Sequence, residues 1–144
     1  MARQEIDIDQ IAASLPRRIH EAYGNALTKA PDSVALIDDG ASWSYRELHT
    51  RVQDTAEQLT SLGVRAGDRV MIVSENCVDL AVLLLSASRI DAWAIVASPR
   101  LSARELDLIR DHSGARRAFF TCGISQEAAT HAERRARTGD RLAS

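Results

Sequence analysis

Only two cysteines occur, Cys77 and Cys122, and no metal-type spacing links them. That excludes a disulfide framework and a cysteine zinc site, and it makes a reduced, cytoplasmic setting the expectation. Lysine is nearly missing: Lys29 stands against 17 arginines, and the net charge of −2 gives no global field pointing to nucleic acid or a membrane surface. Aromatic residues are scarce, at 4%. The longest strongly apolar run, between Asp79 and Arg89, falls far short of the roughly 20 residues that span a bilayer. The N-terminus has no apolar stretch of signal-peptide length. The seven glycines, at 24, 40, 63, 67, 114, 123 and 139, never come closer than four apart. Backbone N–H groups therefore have no glycine-rich turn on which to converge around phosphate. No Gly-x-Ser-x-Gly elbow, internal repeat or low-complexity linker occurs either.

What remains is an ordinary globular composition, 45% apolar and 26% charged, sized for one domain or one piece of a larger one. The chain is organised around residues 68–97. Asp68 to Ser74 reads as a buried strand, because four apolar residues run together after a Gly67-Asp68 turn. Asn76 to Ile90 reads as a helix with Asn76 as N-cap, Asp79 in the first turn and an apolar surface on nearly every face. Ala92 to Ala97 reads as a second buried strand. Strand, helix and strand form a parallel βαβ unit whose helix needs partners on both sides.

Ahead of this unit, Leu15 to Lys29 keeps a helical face, with Ser14 as N-cap and Pro31 as stop. Val34 to Ile37, the turn Asp38-Asp39-Gly40 and Ser42-Trp43 read as a hairpin. Ser44-Tyr45-Arg46-Glu47 is a capping box, followed by the apolar stripe Leu48, Val52, Ala56, Leu59 and Leu62, with Gly63 at the C′ position. After the unit, Ser102 to Glu105 is a second capping box on a helix ending at Gly114. Ala118 to Thr121 reads as a short buried strand, and Ser125 caps a last helix through Ala132. Strands alternating with helices argue an α/β fold with a parallel sheet. Residues 1–13 are expected to be a loose arm, 14–132 the domain, and 133–144 a frayed tail.

Few residues suggest chemistry. Cys77 lies in the first turn of the central helix, where a thiol can be activated, but its surroundings read as a small buried apolar position. His20, His49, His112 and His131 lie far apart, with His20 and His49 on polar helix faces as solvated residues. A receiver-type phosphoacceptor domain would need aspartates at strand ends and a late lysine. Asp68 instead begins a strand, and Lys29 precedes every strand.

Trp43-Ser44-Tyr45-Arg46-Glu47-Leu48 resembles the first core motif of the adenylate-forming enzymes, which include acyl-CoA synthetases, peptide-synthetase adenylation domains and luciferases. Leu62-Gly63-Val64-Arg65-Ala66-Gly67-Asp68-Arg69-Val70 is similar to their Leu-Gly-Val-x-x-Gly-Asp-x-Val, and Ser74-Glu75-Asn76 to their strand-to-helix junction. Ser88 to Ala92 stands where the second core motif has Lys-Ala-Gly-Ala, with Asp91 replacing the glycine. Pro99-Arg100-Leu101-Ser102 with Glu105-Leu106, then His112-Ser113-Gly114-Ala115, is similar to the acyl-CoA synthetase form of the next segment. Val96, Ala97 and Ser98 depart from the usual Pro-Leu-Asn.

The resemblance implies the N-terminal portion of the large domain of the adenylate-forming fold. It also implies membership of an ATP-dependent acid–CoA ligase. A carboxylate attacks the α-phosphorus of ATP, with Mg²⁺, to give acyl-AMP and pyrophosphate; the thiol of coenzyme A then displaces AMP. The motifs matched here are structural in the family, so no residue inherits a catalytic, cofactor-binding or metal role. The expectation is a scaffold, inactive alone, whose partner in the whole enzyme is a carboxylic acid substrate, with no nucleic acid and no membrane span. Two other readings stand beside it. One is a stand-alone α/β binding or interaction module. The other is an unstable truncated product that self-associates through apolar surface around the central helix.

Overall fold

The computed structural model describes residues 8–137. Its elements, in order, are α1 (Ile8–Ser14), a 3-10 turn (Ile19–Glu21), α2 (Gly24–Lys29), β1 (Val34–Asp38), β2 (Ala41–Ser44), α3 (Tyr45–Ser61), β3 (Arg69–Val73), α4 (Val78–Arg89), β4 (Trp93–Ala97), α5 (Ala103–Ser113), β5 (Arg117–Phe120) and α6 (Gln126–Arg137). Strands β1 and β2 form an antiparallel hairpin, and the other three form a parallel sheet in the order β4-β3-β5. The fold is therefore α/β with a parallel βαβ core, as the alternation of elements predicts.

Period-two alternation along β3 builds two half-cores. Val70 packs with Ala94 and Phe119 beneath Leu59 of α3 and Ala87 of α4. Met71 and Val73 face the other way, with Ala97, Ala118 and Phe120 beneath Leu106 of α5. A third cluster joins the hairpin to the α3–α4 pair through Leu36, Trp43, Leu48, Val52, Val78 and Val82.

Local signals set α3. The Ser44 hydroxyl accepts from the Glu47 N–H at 3.2 Å, and Glu47 Oε2 accepts from the Ser44 N–H at 2.7 Å. These hydrogen bonds hold the Glu47 carboxyl below its usual range. At the other end, Val64 N–H bonds to Leu59 O and Gly63 N–H to Thr60 O, both at 3.0 Å, with Gly63 at φ +87°. That is a Schellman stop. The hairpin turn has φ +44° at Asp39 and +77° at Gly40, the left-handed pair that a two-residue turn between twisted strands requires.

Several expectations are corrected. The span from Leu15 to Lys29 is not one helix. Glu21 Oε2 accepts from the Arg17 and Arg18 N–H groups, which sets a 3-10 turn, and α2 restarts at Gly24. Residues 8–14 form a helix with nothing buried, and the last helix runs on to Arg137 with Arg135 almost fully buried. Residues 1–7 and 138–144 lie outside the described residues. The N-cap of α4 is Cys77 rather than Asn76. Strand β4 is an edge, with Trp93 69% and Val96 50% exposed. Helix α4 itself is covered: Leu83, Leu84 and Leu85 are half-buried, and the large exposed apolar side chains lie elsewhere, on α1 and β4 among others.

Asp91, which stands where the motif it resembles carries glycine, has φ +59°, in the left-handed region that favours glycine. Its carboxylate pairs with Arg18.

Candidate functional site

In an open parallel sheet, ligands bind outside the carboxyl ends of the strands, where neighbouring connections leave toward opposite faces. Here β3 leads into α4 on one face, while β5 leads into α6, which pairs with α5 on the other. The crevice between the ends of β3 and β5 is therefore the candidate site.

Its residues are Ser74, Glu75, Cys77 and Thr121. Ser74 and Thr121 are buried, and the Thr121 hydroxyl donates to Ser74 Oγ at 2.9 Å. Ser74 in turn donates to the Glu75 carbonyl at 2.6 Å, and Cys77 Sγ lies 3.5 Å from the same hydroxyl. Arg100, in the loop after β4, reaches Glu75 at 3.2 Å. Each hydroxyl proton already has an acceptor inside the chain. Among the described residues no histidine stands within hydrogen-bonding distance of Ser74, Cys77 or Thr121, and the one carboxylate of the crevice, Glu75, is paired with Arg100.

Three of the four histidines join elements together, and His112 is exposed. His20 Nδ1 lies 2.9 Å from Ser88 Oγ, docking the 3-10 turn on α4. His49 Nδ1 lies 3.2 Å from the Tyr23 hydroxyl, with the two rings edge to face. Burial lowers the His49 pKa, helped by Arg89, and raises that of Tyr23. His131 Nε2 lies 3.1 Å from the Pro99 carbonyl and must carry the proton there. The reading of His20 and His49 as solvated side chains is thus corrected: both are partly buried.

A nucleotide triphosphate needs convergent backbone N–H groups, and helix N-termini are the usual source. In this chain a side chain takes a first-turn N–H of each of the four long helices. Ser44 and Glu47 cap α3, and Ser102 and Glu105 cap α5 in the same way. Ser125 Oγ accepts from the Ala128 N–H of α6 at 3.2 Å. At α4, beside the crevice, the Val78 N–H is taken by the Asp38 carboxylate at 2.8 Å, a partner 40 residues away on the hairpin. Among the described residues no group of three or more His, Cys, Asp or Glu could hold a metal ion, and no helix is long and apolar enough to cross a membrane. The first-turn N–H groups that these side chains take are not offered to a triphosphate.

A groove of about 420 Å³ opens between α3, α4 and the end of β5, with Leu59, Leu62, Leu83 and Phe119 in its wall. Its cation, Arg51, is engaged by Asp79 at 2.8 Å and stacks 4.4 Å over the Trp43 ring.

Comparison with known proteins supplies what the crevice lacks. A family model described as AMP-binding enzyme matches residues 24–143. The 2-hydroxy-7-methoxy-5-methyl-1-naphthoate–CoA ligase of Streptomyces carzinostaticus is 34% identical over 99 residues, covering 69% of this chain and 18% of that enzyme. The 4-coumarate–CoA ligase 2 of Oryza sativa subsp. japonica is 34% identical over 102 residues, covering 69% of this chain and 17% of that enzyme. A solved Mycobacterium tuberculosis fatty acyl CoA synthetase superposes with a TM-score of 0.72 at 23% identity, over 81% of this chain and 23% of that one. The chain thus spans less than a quarter of the length of each of these relatives. The matched region holds the capping boxes, the parallel βαβ core and the left-handed Asp91 turn described above, and on that match the chain belongs to the AMP-binding enzyme family, with the fold of the N-terminal domain of adenylate-forming enzymes.

Proposed function

We propose that these residues are the scaffold layer of an ATP-dependent acid–CoA ligase. The whole enzyme joins a carboxylic acid to coenzyme A through an acyl-adenylate, in the cytoplasm. ATP, Mg²⁺ and coenzyme A are held by parts of the enzyme beyond these 144 residues. Relatives that activate aromatic acids support the ligase class without fixing the acid. The observation that carries the scaffold role is the occupied state of the α3, α4, α5 and α6 N-termini, where the chain's own side chains stand in the place of phosphate.

The test is ATP–pyrophosphate exchange by the purified 144-residue chain across aliphatic and aromatic carboxylic acids. The expected result is exchange at the no-protein background with every acid. Exchange that rises with protein concentration would sink the scaffold reading.

A further inference from the structure

Among the described residues, two other than glycine hold positive φ: Asp39 at +44° and Asp91 at +59°. Their surroundings differ. Asp91 is followed by Ala92, and its carboxylate is paired with Arg18. Asp39 is followed by Gly40, and among the described residues its carboxylate has no hydrogen bond or ion pair. Asp39-Gly40 is the one Asp-Gly step in the chain, and Asn-Gly does not occur. Both residues are exposed, and a Cβ built on Gly40 would meet nothing within 4 Å. The Gly40 N–H lies outside the β1–β2 ladder, which closes on the pair Asp38 and Ala41, and no turn hydrogen bond engages it.

These are the conditions under which a backbone nitrogen attacks the side chain before it. With no Cβ on Gly40, its nitrogen can approach Asp39 Cγ closely. The N–Cγ bond forms, the Cγ–OH bond breaks, and the hydroxyl leaves as water with the amide proton. Water then opens the cyclic imide. Opening at the Asp39 α-carbonyl leaves Gly40 joined through the side chain of Asp39, as isoaspartate, with the α-carboxylate free. The water lost in the first step is regained in the second, so no oxidant or further reactant is consumed.

We propose that Asp39-Gly40 is a site of isoaspartate formation in the folded chain, and that this change unlocks the hairpin from α4. The coupling follows from the register. The new linkage adds one carbon to the main chain of a turn that sets Asp38 against Ala41, Ile37 against Ser42 and Leu36 against Trp43. Leu36 and Trp43, further from the turn, pack in the third cluster. Next to the turn, the tie to α4 is the Asp38 carboxylate, which accepts from the Val78 N–H at 2.8 Å beside a cavity of about 220 Å³. A shift at Asp38 withdraws that acceptor.

The experiment incubates the 144-residue chain near neutral pH, beside a free peptide of residues 34–44. Isoaspartate is read by methyl transfer from S-adenosylmethionine with an isoaspartate methyltransferase and is located by peptide mapping. The expected result is isoaspartate at Asp39 alone, forming in the folded chain within about tenfold of the peptide rate, because an unpinned turn opens at little cost. Reaction in the peptide but not in the chain, or equal reaction at Asp38 or Asp91, overturns the site. Slow amide exchange at the buried Met71 and Ile72 marks the folded chain, and isoaspartate confined to molecules without it overturns the site as well. In the isoaspartate form the Val78 amide should exchange about fivefold or more faster than in the fresh chain. Unchanged exchange there overturns the coupling. Asp39→Gly keeps a Gly-Gly turn without a carboxyl to react, and its Val78 exchange should stay constant through the incubation. A loss of protection in that variant also overturns the coupling. Asp39→Asn keeps the turn and releases ammonia in place of water, so isoaspartate should accumulate faster; slower accumulation overturns the ring-closing route.

Discussion

Asp107→Asn tests how α6 is held. The Asp107 carboxylate receives both Arg134 terminal nitrogens at 3.0 Å and Arg135 Nη2 at 2.8 Å. Arg135 is only 5% exposed, whereas Asp107 retains 36% exposure. Removing one member of a buried ion pair costs about 3–5 kcal/mol, and solvent at Asp107 screens part of that, leaving about 2 kcal/mol. At 1.4 kcal/mol per tenfold, α6 should open about 30-fold more often in the variant. Arg135→Met supplies the contrast: an apolar side chain replaces a buried charge while Arg134 stays on Asp107, and the loss should stay below about 1 kcal/mol. The effect also has a pH signature. Hydrogen bonding from Arg134 first, then Arg135, holds the Asp107 carboxyl below its ordinary range against the opposing effect of burial. A carboxylate lowered in the folded state contributes its full stability above the unfolded pKa of about 4 and loses it as pH falls through the folded value. Hydrogen exchange of the amides of Gln126–Arg137 is the assay. The gap between wild type and Asp107→Asn should be full at pH 7 and shrink as the carboxyl protonates below about pH 4. Equal protection at pH 7, or a gap that persists in acid, would refute the reasoning.

Three further outcomes follow from single contacts. Asp38→Ala should cost about 1 kcal/mol in urea unfolding, because the Val78 N–H loses its acceptor, and Asp38→Asn should recover most of it. Asp91→Gly and Asp91→Ala both lose the Arg18 pair, so their difference isolates the backbone. At φ +59° the glycine variant should be the more stable by about 1 kcal/mol, and equal midpoints would sink that account. Ser86, fully buried between α3 and α4, places its hydroxyl 2.7 Å from the Val82 carbonyl and 3.0 Å from that of Val52. Ser86→Leu should overpack that contact and cost about 1–3 kcal/mol by chemical denaturation, while Ser86→Ala stays within about 1 kcal/mol.

What the sequence made readable is what neighbouring residues decide. The α3 helix is complete in its own stretch: Ser44 and Glu47 cap it, the stripe from Leu48 to Leu59 buries it, and Gly63 ends it. The same holds for α5, whose capping box and left-handed Gly114 both lie within the segment. What escaped was set by distant partners. Asn76 looks like the cap of α4, but the acceptor is Asp38, brought there by the hairpin. His20 sits where a continuous helix would turn it to water, and the 3-10 turn docks it on Ser88; His49, on α3, meets Tyr23 from the segment after that turn. The arginine-rich stretch from Glu133 reads as a frayed tail because Asp107, which draws Arg134 and Arg135 in, belongs to another helix. Strand order escaped for the same reason. Trp93-Ala-Ile-Val-Ala97 has the composition of a central strand, and only the return of α5 across the sheet makes it an edge.

The candidate site follows the same division. A parallel sheet of this order offers a crevice between β3 and β5 as its natural ligand position. A phosphate held there would need the N-terminus of α4, and a donor or base at the strand ends. The chain gives the first to Asp38 and uses up the second in the Thr121–Ser74–Glu75 hydrogen bonds. Both arrangements couple elements that are distant in sequence: hairpin to helix in one case, the ends of two parallel strands in the other. The groups that could have bound a ligand are thus spent on holding the layer rigid. Restoring a vacancy is therefore not equivalent to restoring a site. Asp38→Ala would expose the α4 N-terminus but would also loosen the hairpin from α4, so any anion bound there would meet a less ordered frame.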